Sequence, residues 1–426
     1  KIGLITYMKI KKKEDIINHF IAGSKNHQNI GVENEKFIFD NKSKKRSTYN
    51  QIVNVLNFLN KNYGWNKVLE NNNLIGLELH GKQVTLEPGN QIELAGAKLK
   101  SIHDVCSESY NFQDQLIKAC NKLDLNILSI GYDPNTHLED VPSNPKKRYE
   151  VMTKEMPKNG KLSLEMMYQT AGTQINLDYS NEKNFSNIFR LSTFLVPLAI
   201  SLFANSSIKE NTFSQYLSYR SYVWQNTSRG GLPNIFFEKM TFEKYADFCL
   251  NYPLLFIKKN SEYLFPKKYL FKDFIENKIE EISKDSPTTK DLETHLSTIF
   301  TEIRLKQYVE IRSIDACEWD CHCAAPAFYT GLIYGNLDEG LDVIKNWKSD
   351  EVINAYLEAP KKGLLTEIHG KNMIEWGELL LKISKKGLEN RNNLNKKNND
   401  ESVYLKNIEN VLSEKKTKAE KSIKIA

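Results

Sequence analysis

The 426-residue chain holds only 6 cysteines, 12 prolines and 20 glycines. So few cysteines in so long a chain exclude a disulfide scaffold and leave most of them as thiols, and the sparse proline and glycine exclude collagen-like and low-complexity classes. Long apolar runs are missing too. The most apolar stretch, residues 191–204, falls short of the ~20 residues a membrane-spanning helix needs, and Pro197 and Ser201 interrupt it, so a buried core helix is expected and no membrane partner. The excess of base over acid is small, +6. Its clusters (Lys11–Lys13, Lys42–Arg46, Lys415–Lys418) alternate with acids and lack interleaved aromatics, which argues against a nucleic-acid partner. No G-x-G-x-x-G, H-E-x-x-H or G-x-S-x-G motif occurs, so hydride transfer, zinc proteolysis and elbow-type hydrolysis lose their usual signatures. Residues 76–83 fit a phosphate loop up to Lys82, but Gln83 replaces its Ser or Thr and a strand-like alternation follows where a helix should start. The opening segment lacks the basic, apolar and small-residue order of a secretory signal, and a cytoplasmic location is expected.

What is present is a mixture of helices and strands without a βαβ cadence. Apolar residues at helical spacing mark helices over 12–22, 47–62 and 104–123, and one long helix is expected over 185–203. Alternation marks strands over 31–39, on both sides of the His80-Gly81 turn, over 125–132, in the TQINLDY run ending at Tyr179, and over 308–314. After residue 341 the pattern is almost wholly helical. This argues for an α+β fold with an antiparallel sheet, one catalytic domain over 1–426, an N-terminal helix within 1–29 and a charged helical tail over 380–426.

The chemistry-bearing residues sit on the strands. Side chains two apart on a strand share a face, so Glu33 and Glu35 can reach one ion, with Glu87 and Glu93 close behind in LEPGNQIELAG. Hard oxygen ligands of this kind suit Mg2+. Read as one extended strand, residues 304–312 project Arg304, Lys306, Tyr308, Glu310 and Arg312 to a single side, setting phosphate-binding cations beside a metal ligand. Solvent-facing or salt-bridged sheet residues are the plain alternative.

These segments, with the block from Arg148 to Ser180, LFANS at Leu202, LSYRSYVW at Leu217 and CAAPAFYTGLIY at Cys323, make the chain resemble the plant and proteobacterial glutamate–cysteine ligases from about Gly31 onward. The resemblance implies an antiparallel sheet funnel of the glutamine synthetase and guanidino kinase kind, surrounded by helices. It implies an ATP-dependent ligase that phosphorylates the γ-carboxylate of L-glutamate and lets the amine of L-cysteine displace the phosphate. It further implies Mg2+ ligands at Glu33, Glu35, Glu87, Glu93 and Glu310, substrate contacts at Arg148 and Arg220, and ATP-side cations at Arg304, Lys306 and Arg312. Of these Arg220, Lys306 and Arg312 would carry the catalysis, in a monomer or homodimer. Cys106 and Cys323 match a pair that plant relatives use as a reversible disulfide. ACEWDCHC departs from the family pattern, so Cys317 and Cys321 receive no role from it, and a small zinc site of these two with His322 and Cys323 is not expected, because the spacing matches no standard zinc knuckle and three ligands within three residues cannot easily close a tetrahedron. Two other functions stay open: a ligase using glutamate with another amine, and a basic RNA-binding or scaffold protein acting through the Lys/Asn-rich segment from about Lys385.

Overall fold

The computed structural model describes residues 7–158, 160–259, 262–266, 268–282 and 285–423; the extremities of the expected 1–29 and 380–426 spans lie outside these. One sheet of nine strands organises it: β1 (Ile30–Asp40), β2 (Asn66–Glu70), β3 (Asn73–Leu79), β4 (Lys82–Leu86), β5 (Ile92–Ala95), β6 (Leu125–Leu128), β7 (Gly172–Leu177), β8 (Ile303–Leu305) and β9 (Val309–Asp315). The order is β8-β9-β7-β1-β5-β4-β3-β2, with β6 pairing the second half of β1, and every pair is antiparallel. The expected α+β class with an antiparallel sheet is what is found. The β3–β4 connection is the expected two-residue turn, with His80 (φ 49°) and Gly81 (φ 82°) both left-handed, as a tight hairpin turn whose twist matches its strands requires.

The helices that matter for the site are α1 (Lys13–Ile21), α2 (Tyr49–Tyr63), α3 (Ile102–Lys122), α4 (Lys147–Glu155), α5 (Ser163–Gln169), α6 (Glu182–Phe194), α7 (Val196–Leu202) and α8 (Tyr219–Gln225). α2 starts where Thr48 accepts from the Gln51 amide and Gln51 answers with its side chain, and it stops at Gly64 (φ 73°). Its buried face, Ile52, Val55, Leu56 and Leu59, packs with Leu77, Val84, Ile92 and Leu94 from the sheet. A second, larger core gathers Val32, Ile175, Leu177 and Ile311 from the central strands with α6, α7 and the helix Trp319–Thr330. One face of the central strands is thereby committed to apolar packing, and the alternate residues must meet something else.

Three expectations change. The single helix over 185–203 is two, α6 and α7, bent by 50°. Pro197 sits in the first turn of α7, where its missing N–H costs nothing, whereas within a continuous helix it would break the ladder. The strand over 125–132 ends at Leu128. Residues 304–312 are not one strand but the hairpin β8–β9, with Arg304 directly opposite Glu310. The charged, largely helical C-terminal segment packs back on the body. The helix Met373–Arg391 ends at left-handed Asn392 (φ 50°), and the chain beyond docks on α3, where the His103 ring contacts the Tyr404 hydroxyl at 3.1 Å and the Asn393 carbonyl at 3.1 Å.

Ile175 is fully buried at the middle of β7. Ile175→Ala is expected to lower unfolding free energy by about 2–5 kcal/mol, the range for emptying a well-packed core position. Urea denaturation measures it, and a loss below about 0.5 kcal/mol would mean that the sheet face is not packed as described.

Candidate active site

Alternation along β1 sends Val32, Asn34 and Lys36 into the protein on one side and Glu33 and Glu35 to the other. Antiparallel register then sets Glu93 of β5 opposite Glu35 and Gln174 of β7 opposite Glu33. Glu87 arrives from the β4–β5 connection, where the Tyr149 hydroxyl on α4 donates to it at 3.1 Å. Together they line one wall of a cavity of about 240 Å³, closed by α4, α5 and α8 through Arg148, Met152, Met166, Met167 and Trp224, and by Phe300, Arg304 and Arg312. The acidic and basic walls face a common space.

Each central carboxylate has donors. Glu35 accepts from Gln174 Nε2 at 2.8 Å and from the Gly172 amide at 2.7 Å, and Glu33 accepts from Asn176 Nδ2 at 2.8 Å. The Thr85 hydroxyl donates to Glu93. Burial first, and then the negative charge of Glu87, push the Glu35 carboxyl up to about 7 despite these donors. Glu93 is held well above its ordinary range by burial and by the charges of Glu33, Glu87 and Glu35. Such a cluster is short of positive charge, the condition a cation relieves. Among the described residues no group of three or more acidic, histidine or cysteine side chains stands ready to hold an ion. The fit is therefore to an ion that takes one or two carboxylates and completes its shell with water or ligand oxygens, as Mg2+ does.

The structure corrects three placements. Glu310 is not on the cavity wall: it is fully buried, and its oxygens accept from Arg304 Nε and Nη2, both at 2.7 Å, and from Arg312 Nη1 at 2.5 Å. Burial alone would raise its carboxyl, but Arg304, Lys306 and Arg312 hold it well below the usual range. With its oxygens held by two guanidinium groups behind the wall, Glu310 anchors Arg304 and Arg312. Lys306 lies in the β8–β9 turn, 3.4 Å from Glu310 and 3.3 Å from the Tyr308 hydroxyl, off the wall that Arg304 and Arg312 share. Arg220 also lies off that wall; only 2% exposed, it donates to the Arg312 carbonyl at 2.9 Å. A Cβ at Gly172 would come within 2.6 Å of its guanidinium, so glycine is what admits Arg220 behind the floor.

Several residues that line the cavity or hold its carboxylates went unnoticed in the sequence. Gln174 and Asn176 had a signal, since the TQINLDY alternation puts both on the Glu33 face. Trp224, Phe300 and the three methionines had none, because nothing local says that α4, α5 and α8 meet there. Four of the six cysteines are free thiols, in line with the expectation that most would be. Cys106 and Cys323 are buried and unlinked, and burial first, then the neighbouring Cys323 thiol, pushes the Cys106 thiol well above its ordinary value. The disulfide present joins Cys317 and Cys321, with Cα atoms 5.9 Å apart, which removes both from any zinc site.

The family model of glutamate–cysteine ligase family 2 matches residues 29–424. The chain belongs to this family. Among curated proteins, this family-2 chain is 36% identical over 420 residues to glutamate–cysteine ligase B, chloroplastic, of Oryza sativa subsp. japonica, covering 97% of itself and 84% of that protein. It is 37% identical over 386 residues to glutamate–cysteine ligase, chloroplastic, of Nicotiana tabacum, covering 89% and 74%. Among solved structures it superposes on the glutamate–cysteine ligase of Francisella tularensis in complex with AMP with a TM-score of 0.53 at 13% identity, covering 95% of itself and 85% of that chain. That likeness shows the ligase fold. Among the described residues no single helix is long and apolar enough to cross a membrane.

Two outcomes follow for this family-2 fold. Glu310→Gln strips the counter-charge from buried Arg304 and Arg312 and is expected to cost about 3–5 kcal/mol in urea unfolding, where Glu33→Gln costs little; equal stabilities would contradict the anchoring role. Glu35 titrates near 7 when folded against 4.5 ordinarily, so the folded state keeps the extra proton. Its contribution to stability is full below about pH 4.5 and is lost as pH rises to about 7. In chelator, the decline of unfolding free energy between these pH values is expected to be shallower in Glu35→Gln than in wild type, and identical slopes would remove Glu35 as its source.

Proposed function

We propose that this chain joins the γ-carboxylate of L-glutamate to the amine of L-cysteine with ATP as co-substrate, through a γ-glutamyl phosphate, as the first step of glutathione synthesis. One observation supports this most: a chain of the glutamate–cysteine ligase family brings a four-carboxylate wall and a wall bearing Arg148, Arg304 and Arg312 onto one cavity. Phosphoryl transfer between a nucleotide and a carboxylate gathers negative charge on both reactants, and positioning plus electrostatic neutralisation supplies the rate. One or two carboxylates from the set Glu33, Glu35, Glu87 and Glu93 would hold Mg2+, which when bound draws charge from the phosphates. Arg304 and Arg312, fixed by Glu310, face the transferred group without having to reorganise, and Lys306 adds charge at the hairpin turn. Arg148, whose Nε is buried without a partner and whose guanidinium lies 5.5 Å from the Phe256 ring, suits a substrate carboxylate. The methionine and aromatic side keeps water from the acyl phosphate, leaving the amine as nucleophile; the amine's attack forms the amide bond and releases phosphate, with ADP already formed. The reading includes no nucleic acid or membrane, and a monomer or homodimer acting in the cytoplasm, where buried thiols such as Cys106 and Cys323 stay reduced.

Purified protein given glutamate, ATP, Mg2+ and each amino acid in turn is expected to release phosphate fastest with cysteine. Faster release with another amine would move the assignment to a ligase of different acceptor, and none with any amine would reject it. Glu33→Gln and Glu35→Gln are expected to lower turnover at least 100-fold, on the order of what a lost electrostatic contact to a reacting phosphate costs.

A further inference from the structure

Asp315 ends β9, is 2% exposed and does not line the cavity. Its Oδ2 accepts from the Ser206 hydroxyl at 2.6 Å and the Asn205 amide at 2.9 Å, and its Oδ1 accepts from the Ser218 hydroxyl at 2.8 Å. Each hydroxyl has one proton; with Asp315 taking both, the Ser221 hydroxyl, 2.8 Å from the Ser218 oxygen, is the donor in that contact, and both serine oxygens are left as acceptors. Both turn to α8. Ser206 accepts from the Arg220 amide at 3.1 Å, and Ser218, the N-cap, accepts from the Ser221 amide at 3.2 Å. A buried negative charge is thus relayed through two hydroxyls to the first turn of the helix that carries Arg220 and Trp224.

The same carboxylate lies 4.0 Å from Arg220 Nη1. Arg220 in turn donates to the Arg312 carbonyl at 2.9 Å, and the guanidinium groups of Arg220 and Arg312 lie 5.3 and 5.4 Å from the Trp224 ring. Trp224 and Arg312 are the cavity-facing members of this set. Room for Asp315 is itself built in, because a Cβ at Gly131 would fall 2.5 Å from its Cγ.

We propose that Asp315 is a positioning residue of the ligase reaction, fixing through Ser206, Ser218 and Arg220 where Trp224 and the Arg312 guanidinium face the substrates. The inference rests on the ligase reading for its activity readout. Two variants approach it from opposite ends. Asp315→Asn keeps the shape and removes the charge, whereas the double variant Ser206→Ala and Ser218→Ala keeps the charge and cuts the relay. Both are expected to lower kcat roughly 10- to 100-fold, the scale on which a displacement near 1 Å acts, with KM for ATP changed less than about twofold. A residue that only supports the fold would lower the thermal midpoint and leave kcat per folded molecule unchanged. Wild-type kcat in folded samples of either variant overturns the proposal, and if Asp315→Asn does not fold, the serine pair decides. An inactive wild type would reject the ligase reading instead, so the two failures are distinguishable.

Discussion

Negative charge crowded onto one low-dielectric sheet face is the constraint on which the rest of this structure depends. Glu33, Glu35 and Glu93 occupy adjacent central strands because register, not choice, brings them together once the opposite face is given to the apolar core. Burial first and then the charge of Glu87 push the Glu35 carboxyl up, and burial with the charges of Glu33, Glu87 and Glu35 pushes Glu93 up. Gln174, Asn176, Thr85 and the Gly172 amide lessen the cost of this burial without cancelling it, since neutral donors offset part of a desolvation cost and none of a net charge. The face is left with an unmet demand for a cation, the useful property of a site that handles phosphates.

The cations opposite obey the complementary rule. Three basic side chains converging on a cavity would also be unstable alone, and Glu310 is the buried anion that lets Arg304 and Arg312 stay charged and fixed. It lies behind the wall, as Arg220 and Asp315 do, so the site has depth: cavity-facing groups in front, charge-compensating groups behind. The layering explains why a carboxylate alternating with arginines along a strand could be taken for a ligand. Spacing gives the face of a strand, but not which member of a charged pair another side chain will cover.

Legibility in the sequence followed this division. Patterns local to a segment were readable: the Glu33-x-Glu35 face, the His80-Gly81 turn, the α2 boundaries and the antiparallel class. The β8–β9 hairpin was not, because Lys306 to Tyr308 contain no glycine, proline or asparagine to mark a turn, and an unbroken alternation reads as one strand. The bend at α6–α7 was marked by Pro197, whose N1-compatible geometry permits a new helix as readily as a break. Which side of the sheet Arg220 reaches depends on a glycine 48 positions away, Gly172, and no periodicity carries that. The Cys317–Cys321 bond lay beyond the sequence for a like reason: thiol pairing depends on how the chain enters the helix at Trp319.

The order of the strands also bears on how the protein is made. The hub strand, β1, is synthesised first but borders β7, which ends at residue 177, and β7 borders β9, which ends at residue 315. While the ribosome is still adding those segments, the β1 edge destined for β7 exposes unpaired amides and carbonyls beside the apolar residues Ile30 and Val32. Such an edge is an invitation to foreign strands. The alternating Glu33 and Glu35, poorly tolerated partners for another copy of the same edge, then guard the nascent chain against self-association. Carboxylates kept for chemistry in the finished fold would in this way protect the unfinished one.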